Sequence, residues 1–277
     1  MPYDYKQELE KVTKYYNGDP LQKRLSILLT GETNSGKTYL TRTCRMPVHI
    51  DSFDPGGTKS ISDLIRSEKN PSGQVIVDSS YEKDDPFNPT AFAKWMKDID
   101  TRFLIKYFDH FGTYILDSAT TFSDAAMGFT MGDRAGEPAK FNKDYMPQKI
   151  HIVNYIKKLQ RLPCDFILTA HLREIKKLLR VDAKTGVKTE DVKYRFFTTG
   201  DAVLTIPLLF DEIYVIRGHG EGRDGPKREL LIDSLGEFVA RSRLKRNGKL
   251  DVTEPPDIKA LLKKAGLDWQ DKERLEV

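Results

Sequence analysis

Short apolar runs alternate with longer segments of helical periodicity along most of the chain. The runs predict strands at 25–30, 48–51, 74–78, 113–118, 166–171 and 212–217. Between them, apolar residues recur at helical spacing over residues 89 to about 111 and over 143–162, which predicts two helices. Continuous apolar strands separated by helices favour a parallel sheet that is buried on both faces. The sequence therefore predicts an α/β fold with a mostly parallel twisted sheet flanked by helices.

The pattern changes towards the C-terminus, where glycine and charged residues dominate positions 217–226. Residues 229–233 are suited to pair back as a hairpin, so we predict a C-terminal antiparallel edge on the sheet. Polar stretches at 127–144 and 182–194 lack periodicity. They predict loops that bind a ligand or a partner.

Composition indicates a soluble protein. Charged residues make up 31% of the 277 residues and hydrophobic residues 39%, and no apolar stretch approaches the roughly 18 residues of a membrane span. The first ten residues do not resemble a secretory signal, and two cysteines cannot form a disulfide framework. We expect a cytoplasmic protein without a membrane partner.

Basic residues are concentrated in two places, although the net charge is only +4, from 45 basic and 41 acidic residues. One stretch contains Arg173, Lys176, Lys177 and Arg180, and the other contains Arg241, Arg243, Lys245, Arg246 and Lys249. Such patches either follow a phosphate backbone or form a solvated surface. We divide the chain into an N-terminal helical segment at 1–24, a core at 25–240 and a basic C-terminal tail at 241–277.

Residues 31–38 read Gly-Glu-Thr-Asn-Ser-Gly-Lys-Thr and follow the first predicted strand directly. This is a complete P-loop, whose backbone amides and lysine surround a polyphosphate while its last hydroxyl ligates Mg²⁺. A helix starting near Gly36 adds the positive end of its dipole. The sequence therefore predicts an ATP site with Mg²⁺ as cofactor. Its predicted nucleotide-binding residues are Gly31, Glu32, Thr33, Asn34, Ser35, Gly36, Lys37, Thr38 and Tyr39.

A second acidic group is needed to orient Mg²⁺ and its waters, and it comes from the end of a neighbouring strand. Asp117 follows the apolar residues 114–116 and is predicted to ligate Mg²⁺ together with Thr38. It is also suited to cap the following helix. Many P-loop ATPases place the water-activating acid directly after this aspartate, where this chain has Ser118. A base must therefore come from elsewhere, or hydrolysis is weak. Asp51 and Asp54 are the candidates.

The order of these motifs resembles the RecA-like recombinase core: a P-loop, Ile-Asp on the second strand, Leu-Asp-Ser, and Thr-Ala-His on the following strand. More closely, it resembles compact phage-encoded RecA-like ATPases of single-strand annealing and recombination, whose late strand is similar to residues 207–214. The resemblance covers roughly residues 25 to 265. It implies ATP hydrolysis on single-stranded DNA and assembly into a homo-oligomeric ring or filament.

The resemblance also implies roles for particular residues. The family's catalytic glutamate would fall at Phe53, so the acid lies one residue further, at Asp54, with Asp51 as fallback. His171 resembles the polar sensor that reports the γ-phosphate to a DNA-contacting loop, which would begin at residue 172. The predicted catalytic residues are therefore Lys37, Asp51, Asp54 and His171. The candidates for a basic residue that reaches the next subunit's phosphates are Arg241, Arg243 and Lys245.

Four functions are compatible with these motifs. The leading one is a slow, DNA-stimulated ATPase that acts on single-stranded DNA in recombination or annealing. In that function Phe196 or Phe197 would stack on bases, and the alternative is that these rings pack within the protein. A motor ATPase of helicase or packaging type shares every nucleotide motif. A P-loop small-molecule kinase and a nucleotide-gated assembly protein are further alternatives.

Overall fold

The computed structural model describes residues 4–19, 22–66, 74–181, 188–196, 202–219 and 227–275. Phe197 lies outside these residues, and the side chains of Lys176, Lys177, Arg180 and Arg246 are likewise outside the description. The helices are α1 (Tyr5–Gly18), α2 (Ser62–Arg66), α3 (Ala91–Leu104), α4 (Ala119–Met131), α5 (Met146–Leu159), α6 (Ala202–Thr205) and α7 (Ile258–Ala265). The strands are β1 (Ser26–Gly31), β2 (Val48–Ser52), β3 (Val75–Asp78), β4 (Thr113–Asp117), β5 (Asp165–Val181), β6 (Lys188–Phe196), β7 (Glu212–His219), β8 (Lys227–Leu231), β9 (Arg241–Ser242) and β10 (Thr253–Glu254).

The strands of the described residues form one sheet in the order β10-β8-β7-β1-β5-β4-β2-β3. All neighbours from β7 to β3 in this order are parallel. β8 and β9 pair antiparallel with β7, and β10 pairs antiparallel with β8. The predicted mostly parallel α/β fold with an antiparallel edge is therefore confirmed.

Apolar clusters cover both faces of the sheet. On β1, Leu28 belongs to the cluster that includes residues of α3, α4 and α5. Ile27 and Leu29 belong to the other cluster, with residues of the segment after the P-loop and of α7. Successive strand residues point to opposite faces, so a strand that is buried on both sides must be apolar throughout. This burial explains the continuous apolar runs in the sequence.

Four local predictions differ from the structure. The loop predicted over 127–144 is wrong at its start, because α4 continues to Met131 and ends at Gly132, whose φ is positive at 55°. The same segment also contains a π-helix, Phe141–Tyr145.

The segment after the P-loop is a 3₁₀ helix, Thr38–Thr43, in which three β-branched threonines disfavour a longer helix. The predicted helix over 89–111 is divided, because Lys106 adopts a positive φ of 55° between α3 and the 3₁₀ helix Tyr107–His110. The loop predicted over 182–194 is wrong from Lys188 onward, because β6 pairs antiparallel with β5.

The segment after residue 240 contributes to the sheet and to its core. β9 and β10 lie in it, and Ile258, Leu261 and Leu262 of α7 are buried in one of the two main clusters. The predicted division of the chain at residues 24 and 240 stays a prediction. No helix among the described residues combines the length and apolar character needed to cross a membrane.

A buried polar network anchors α3 to the sheet. Asp51 on β2 is fully buried and accepts hydrogen bonds from Trp95 Nε1 at 2.9 Å and Tyr114 Oη at 2.7 Å. Arg102 Nη1 lies 2.8 Å from the same carboxylate, and His49 Nε2 lies 2.9 Å from it. Burial alone would raise the pKa of Asp51, but His49, Arg102 and Tyr114 together hold it below its ordinary value. Asp51 is therefore an ionised structural group.

Arg102→Met should destabilise the protein by about 3–5 kcal/mol, because it removes the guanidinium from a buried carboxylate. Lys97→Met is the matched control, since Lys97 lies on the same helix and is exposed. The free energies of unfolding of both variants and the wild type are compared by urea titration. Equal stabilities for the two variants would contradict the structural role of this network.

Candidate nucleotide site

Four chain segments meet at the carboxyl edge of the parallel sheet. Gly31 at the end of β1 lies level with His171 of β5, and Ser52 at the end of β2 lies level with Asp117 of β4. Because neighbouring parallel strands end at the same edge, the loops that follow them converge there. This register brings the P-loop, the turn after β2, the end of β4 and the middle of β5 together.

The P-loop backbone contains two residues with positive φ and one close approach to β7 that requires glycine. Asn34 and Gly36 have positive φ values of 64° and 103°. A Cβ on Gly31 would lie 2.7 Å from the carbonyl oxygen of Ile216, so only glycine fits where the loop leaves β1. Lys37 Nζ donates to the carbonyl oxygens of Gly31 at 2.9 Å and Glu32 at 2.8 Å. Burial lowers the pKa of Lys37, although Asp117 and Asp54 oppose this shift.

Asp117 connects the P-loop segment with β5. Its carboxylate accepts hydrogen bonds from Thr38 Oγ1 at 3.0 Å and from Thr169 Oγ1. Burial raises the pKa of Asp117, and the hydroxyls of Thr169 and Thr38 oppose the shift. The predicted metal ligands, Thr38 and Asp117, are therefore in contact.

The donor set fits Mg²⁺. A hydroxyl and a carboxylate are hard oxygen donors, and Mg²⁺ in phosphate sites takes one or two carboxylates and completes its shell with waters and substrate oxygens. Within the described ranges no group of three or more His, Cys, Asp and Glu forms a metal cage. Thr38 and Asp117 are thus suited to hold a Mg²⁺ ion that arrives with a nucleotide.

Asp54 and His171 form a second polar pair in the site. His171 Nε2 lies 3.7 Å from Asp54 Oδ2, and Ser118 Oγ donates to Asp54 Oδ1 at 3.3 Å. Burial alone would raise the pKa of Asp54, but hydrogen bonds from His171, Thr121 and Ser118 outweigh it and lower the pKa. Asp54 is therefore ionised at neutral pH and is placed to accept a hydrogen bond from a water molecule.

The turn after β2 approaches β4 closely because residue 57 is glycine. A Cβ on Gly57 would lie 2.9 Å from Asp54 Cβ and 3.6 Å from Asp117 Oδ2. Asp51, predicted as the fallback base, is three residues earlier and is held in the network with Arg102 and Trp95. The structure does not bring Asp51 to the P-loop.

A cavity of about 350 Å³ lies over these groups. Of the predicted nucleotide-binding residues it is lined by Thr33, Asn34, Gly36, Lys37, Thr38 and Tyr39, and of the other predicted residues by Asp54, Asp117 and His171. Gly31, Glu32 and Ser35 lie in the loop but do not line this cavity. Gly57, Ser60 and Arg228 line it without having been predicted.

The basic residues predicted to reach a neighbouring subunit are engaged within the chain. Arg241 Nη2 donates to the carbonyl oxygens of Pro207 at 3.0 Å and Phe210 at 2.8 Å. Arg243 pairs with Asp211 at 2.6 Å, and Lys245 with Asp233 at 2.5 Å.

Phe196, one of the two candidates for base stacking, is buried in the main apolar cluster. Its ring is therefore part of the protein core, where a nucleic-acid base cannot reach it.

Comparisons with known proteins identify the family of the domain through its sequence. A sequence model described as an AAA domain matches residues 23–244. A KaiC-like protein from the hyperthermophilic archaeon Pyrococcus horikoshii OT3 is similar in structure, at 12% identity and a TM-score of 0.41 over 77% of this chain and 80% of that chain. An ATPase of the type III secretion system of pathogenic bacteria is similar at 14% identity and a TM-score of 0.45, over 83% of this chain and 62% of that chain. A search of curated proteins found no match.

Asp54→Asn should lower ATP turnover at least about tenfold while changing nucleotide affinity little, because the amide keeps the shape but is not a base. Asp133→Asn is the matched control, since Asp133 is exposed and does not line the cavity. Steady-state kinetics give the turnover and equilibrium titration gives the affinity. A turnover equal to that of the wild type would exclude Asp54 as the base.

Proposed function

The chain belongs to the AAA domain family of P-loop ATPases, and we propose that it hydrolyses ATP slowly. We propose also that it couples ATP binding to the binding of single-stranded DNA. The observation that carries the proposal is the position of His171. This side chain lies 3.7 Å from Asp54 in the candidate site. The next residue, Leu172, pairs with Phe196 and begins the two-stranded ribbon of residues 172–181 and 188–196.

In this proposal the phosphates are bound by the P-loop amides and Lys37, and the Mg²⁺ ion by Thr38 and Asp117. When bound, Mg²⁺ neutralises charge on the phosphate oxygens. Asp54 accepts a proton from the attacking water. Because its pKa is lowered, Asp54 is a weak base, and the expected turnover is slow.

The base of the ribbon is basic on one face. Arg173 lies opposite Arg195, and Ile175 lies opposite Lys193. Opposite residues in an antiparallel pair share a face. Arginine and lysine side chains on one face can contact successive phosphates, which supports a nucleic-acid backbone as ligand. The sequence places Lys176, Lys177, Arg180 and Lys188 further along the ribbon.

We further propose that the protein acts in recombination or annealing. It is supported by the motif order, which resembles that of phage-encoded RecA-like ATPases. The ribbon starts directly after His171, which lines the candidate site, so ATP binding would have a short route to DNA bound on the ribbon.

Single-stranded DNA should stimulate the ATPase rate of the wild type more than duplex DNA does, and Lys37→Ala should remove ATP binding. Arg173→Glu with Arg195→Glu should weaken single-stranded DNA binding roughly tenfold or more at low salt and abolish the stimulation, because two phosphate contacts become repulsive. The matched control is Lys97→Glu with Arg161→Glu, which changes the net charge equally at two exposed positions.

ATP hydrolysis and DNA binding are measured on the same preparations. A rate that is indifferent to single-stranded DNA would contradict the DNA role and leave the ATPase assignment intact. Hydrolysis by Lys37→Ala at the wild-type rate would contradict the ATPase site itself.

We also propose a homo-oligomer. Helix α1 has no buried residue, and Leu9, Val12 and Tyr16 are 63%, 56% and 61% exposed. These residues and Tyr5 recur at the spacing of one helix face. An apolar face of this kind is costly to leave in water, and a second copy of the chain would cover it.

Leu9→Gln with Val12→Gln should shift the protein to smaller assemblies, because it removes apolar area from the α1 face and keeps helix propensity. Glu10→Gln with Thr13→Gln changes two neighbouring polar positions of α1 and serves as control. Light scattering over a concentration series reports the mass. Identical mass distributions for the wild type and both variants would contradict assembly through α1.

A further inference from the structure

The hairpin of β7 and β8 extends past the edge of the sheet at which β1 ends. Gly31, the last residue of β1, lies level with Ile216 of β7, and β7 continues to His219. β8 pairs antiparallel with this extension, where Arg228 lies opposite Gly218. The hairpin therefore carries Arg228 beyond the sheet and next to the P-loop.

The Arg228 side chain lies against the P-loop. A Cβ on Gly36 would be 3.1 Å from Arg228 Cδ and 3.2 Å from its Nε. To reach this position the side chain must cross β7, and the residue opposite it, Gly218, has no side chain to block the path. Leu230, two residues further along β8, packs in the same cluster as Leu40 of the segment after the P-loop. Strand alternation thus puts Arg228 on the P-loop side of the sheet.

The guanidinium of Arg228 differs from its neighbours in how it is paired. Arg217 on the adjacent strand forms an ion pair with Glu229 at 2.6 Å, and Arg243 forms one with Asp211 at 2.6 Å. The Arg228 side chain makes no ion pair or hydrogen bond within the part of the chain that the structure describes. It lines the cavity that Lys37 and Thr38 also line. A planar guanidinium with free donors is matched to the oxygens of a phosphate.

We propose that Arg228 is a phosphate-binding residue that contacts the polyphosphate of a nucleotide held by the P-loop of the same chain. This inference rests on the proposed nucleotide-binding function and adds a residue to it. In the family that the sequence resembles, a basic residue of a neighbouring subunit reaches the phosphates. Here Arg228 of the same chain would supply that positive charge. A single subunit thereby has a lysine and an arginine that line the same cavity.

The test compares equilibrium dissociation constants of a fluorescent ATP analogue with Mg²⁺ for wild type, Arg228→Gln, Arg228→Lys, Lys227→Gln and Lys37→Ala. Arg228→Gln should raise the dissociation constant about tenfold or more, the effect of losing one charge-assisted phosphate contact. Arg228→Lys should recover part of the loss, because a positive charge remains. Lys227 is exposed, precedes Arg228 on the same strand and does not line the cavity, so Lys227→Gln should bind as the wild type does.

Thermal unfolding of each variant establishes that the exposed substitutions leave the fold intact. The inference is overturned if Arg228→Gln binds within about twofold of the wild type, or if Lys227→Gln loses as much affinity as Arg228→Gln, which would indicate a general charge effect. A failure of the proposed nucleotide-binding function would look different. Wild type and Lys37→Ala would then bind the nucleotide equally.

Discussion

The parallel register around β1 is the constraint on which the candidate site depends. β1 is paired on both sides, so that Gly31 is level with His171 on β5 and with Ile216 on β7. A shift of one residue would turn every side chain of a strand to the opposite face. In β1 that shift would move Leu28 into the cluster that now holds Ile27 and Leu29, and would move those two residues into the cluster that now holds Leu28. Both clusters are already filled. The packing of the core thus fixes where the P-loop starts and which groups face it.

The three aspartates near this edge differ in the direction and cause of their pKa shifts because their surroundings differ. Asp117 is buried between two hydroxyls, and its pKa is raised, so a nearby cation would stabilise its ionised form. Asp54 is partly exposed and receives hydrogen bonds that lower its pKa. Asp51 is fully buried with an arginine and is structural. A carboxylate at the end of a strand is therefore not enough to define a site, since its partners decide its chemistry.

Local determinants can be read from the sequence. The P-loop is one continuous segment, and Asp117 is the last residue of β4, so the position of each in the fold could be predicted from spacing. Asp51 and Asp54 could not be separated in this way, because the burial of Asp51 depends on Trp95 and Arg102, more than 40 residues away. The β6 strand was missed because it pairs with β5 beyond the parallel sheet and needs no alternation of apolar residues.

Arg228 shows a second limit of local patterns. Neither its neighbours in sequence nor its spacing from the P-loop indicates a site, because its position results from the antiparallel pairing with β7. The two strands that flank β1 both continue beyond the sheet. β5 continues from His171 into the ribbon, and β7 continues into the hairpin that holds Arg228. The P-loop therefore lies between two extensions, each with a polar side chain that lines the same cavity. His171 and Arg228 thus face one cavity from two different extensions, while the apolar core holds the central strands in place.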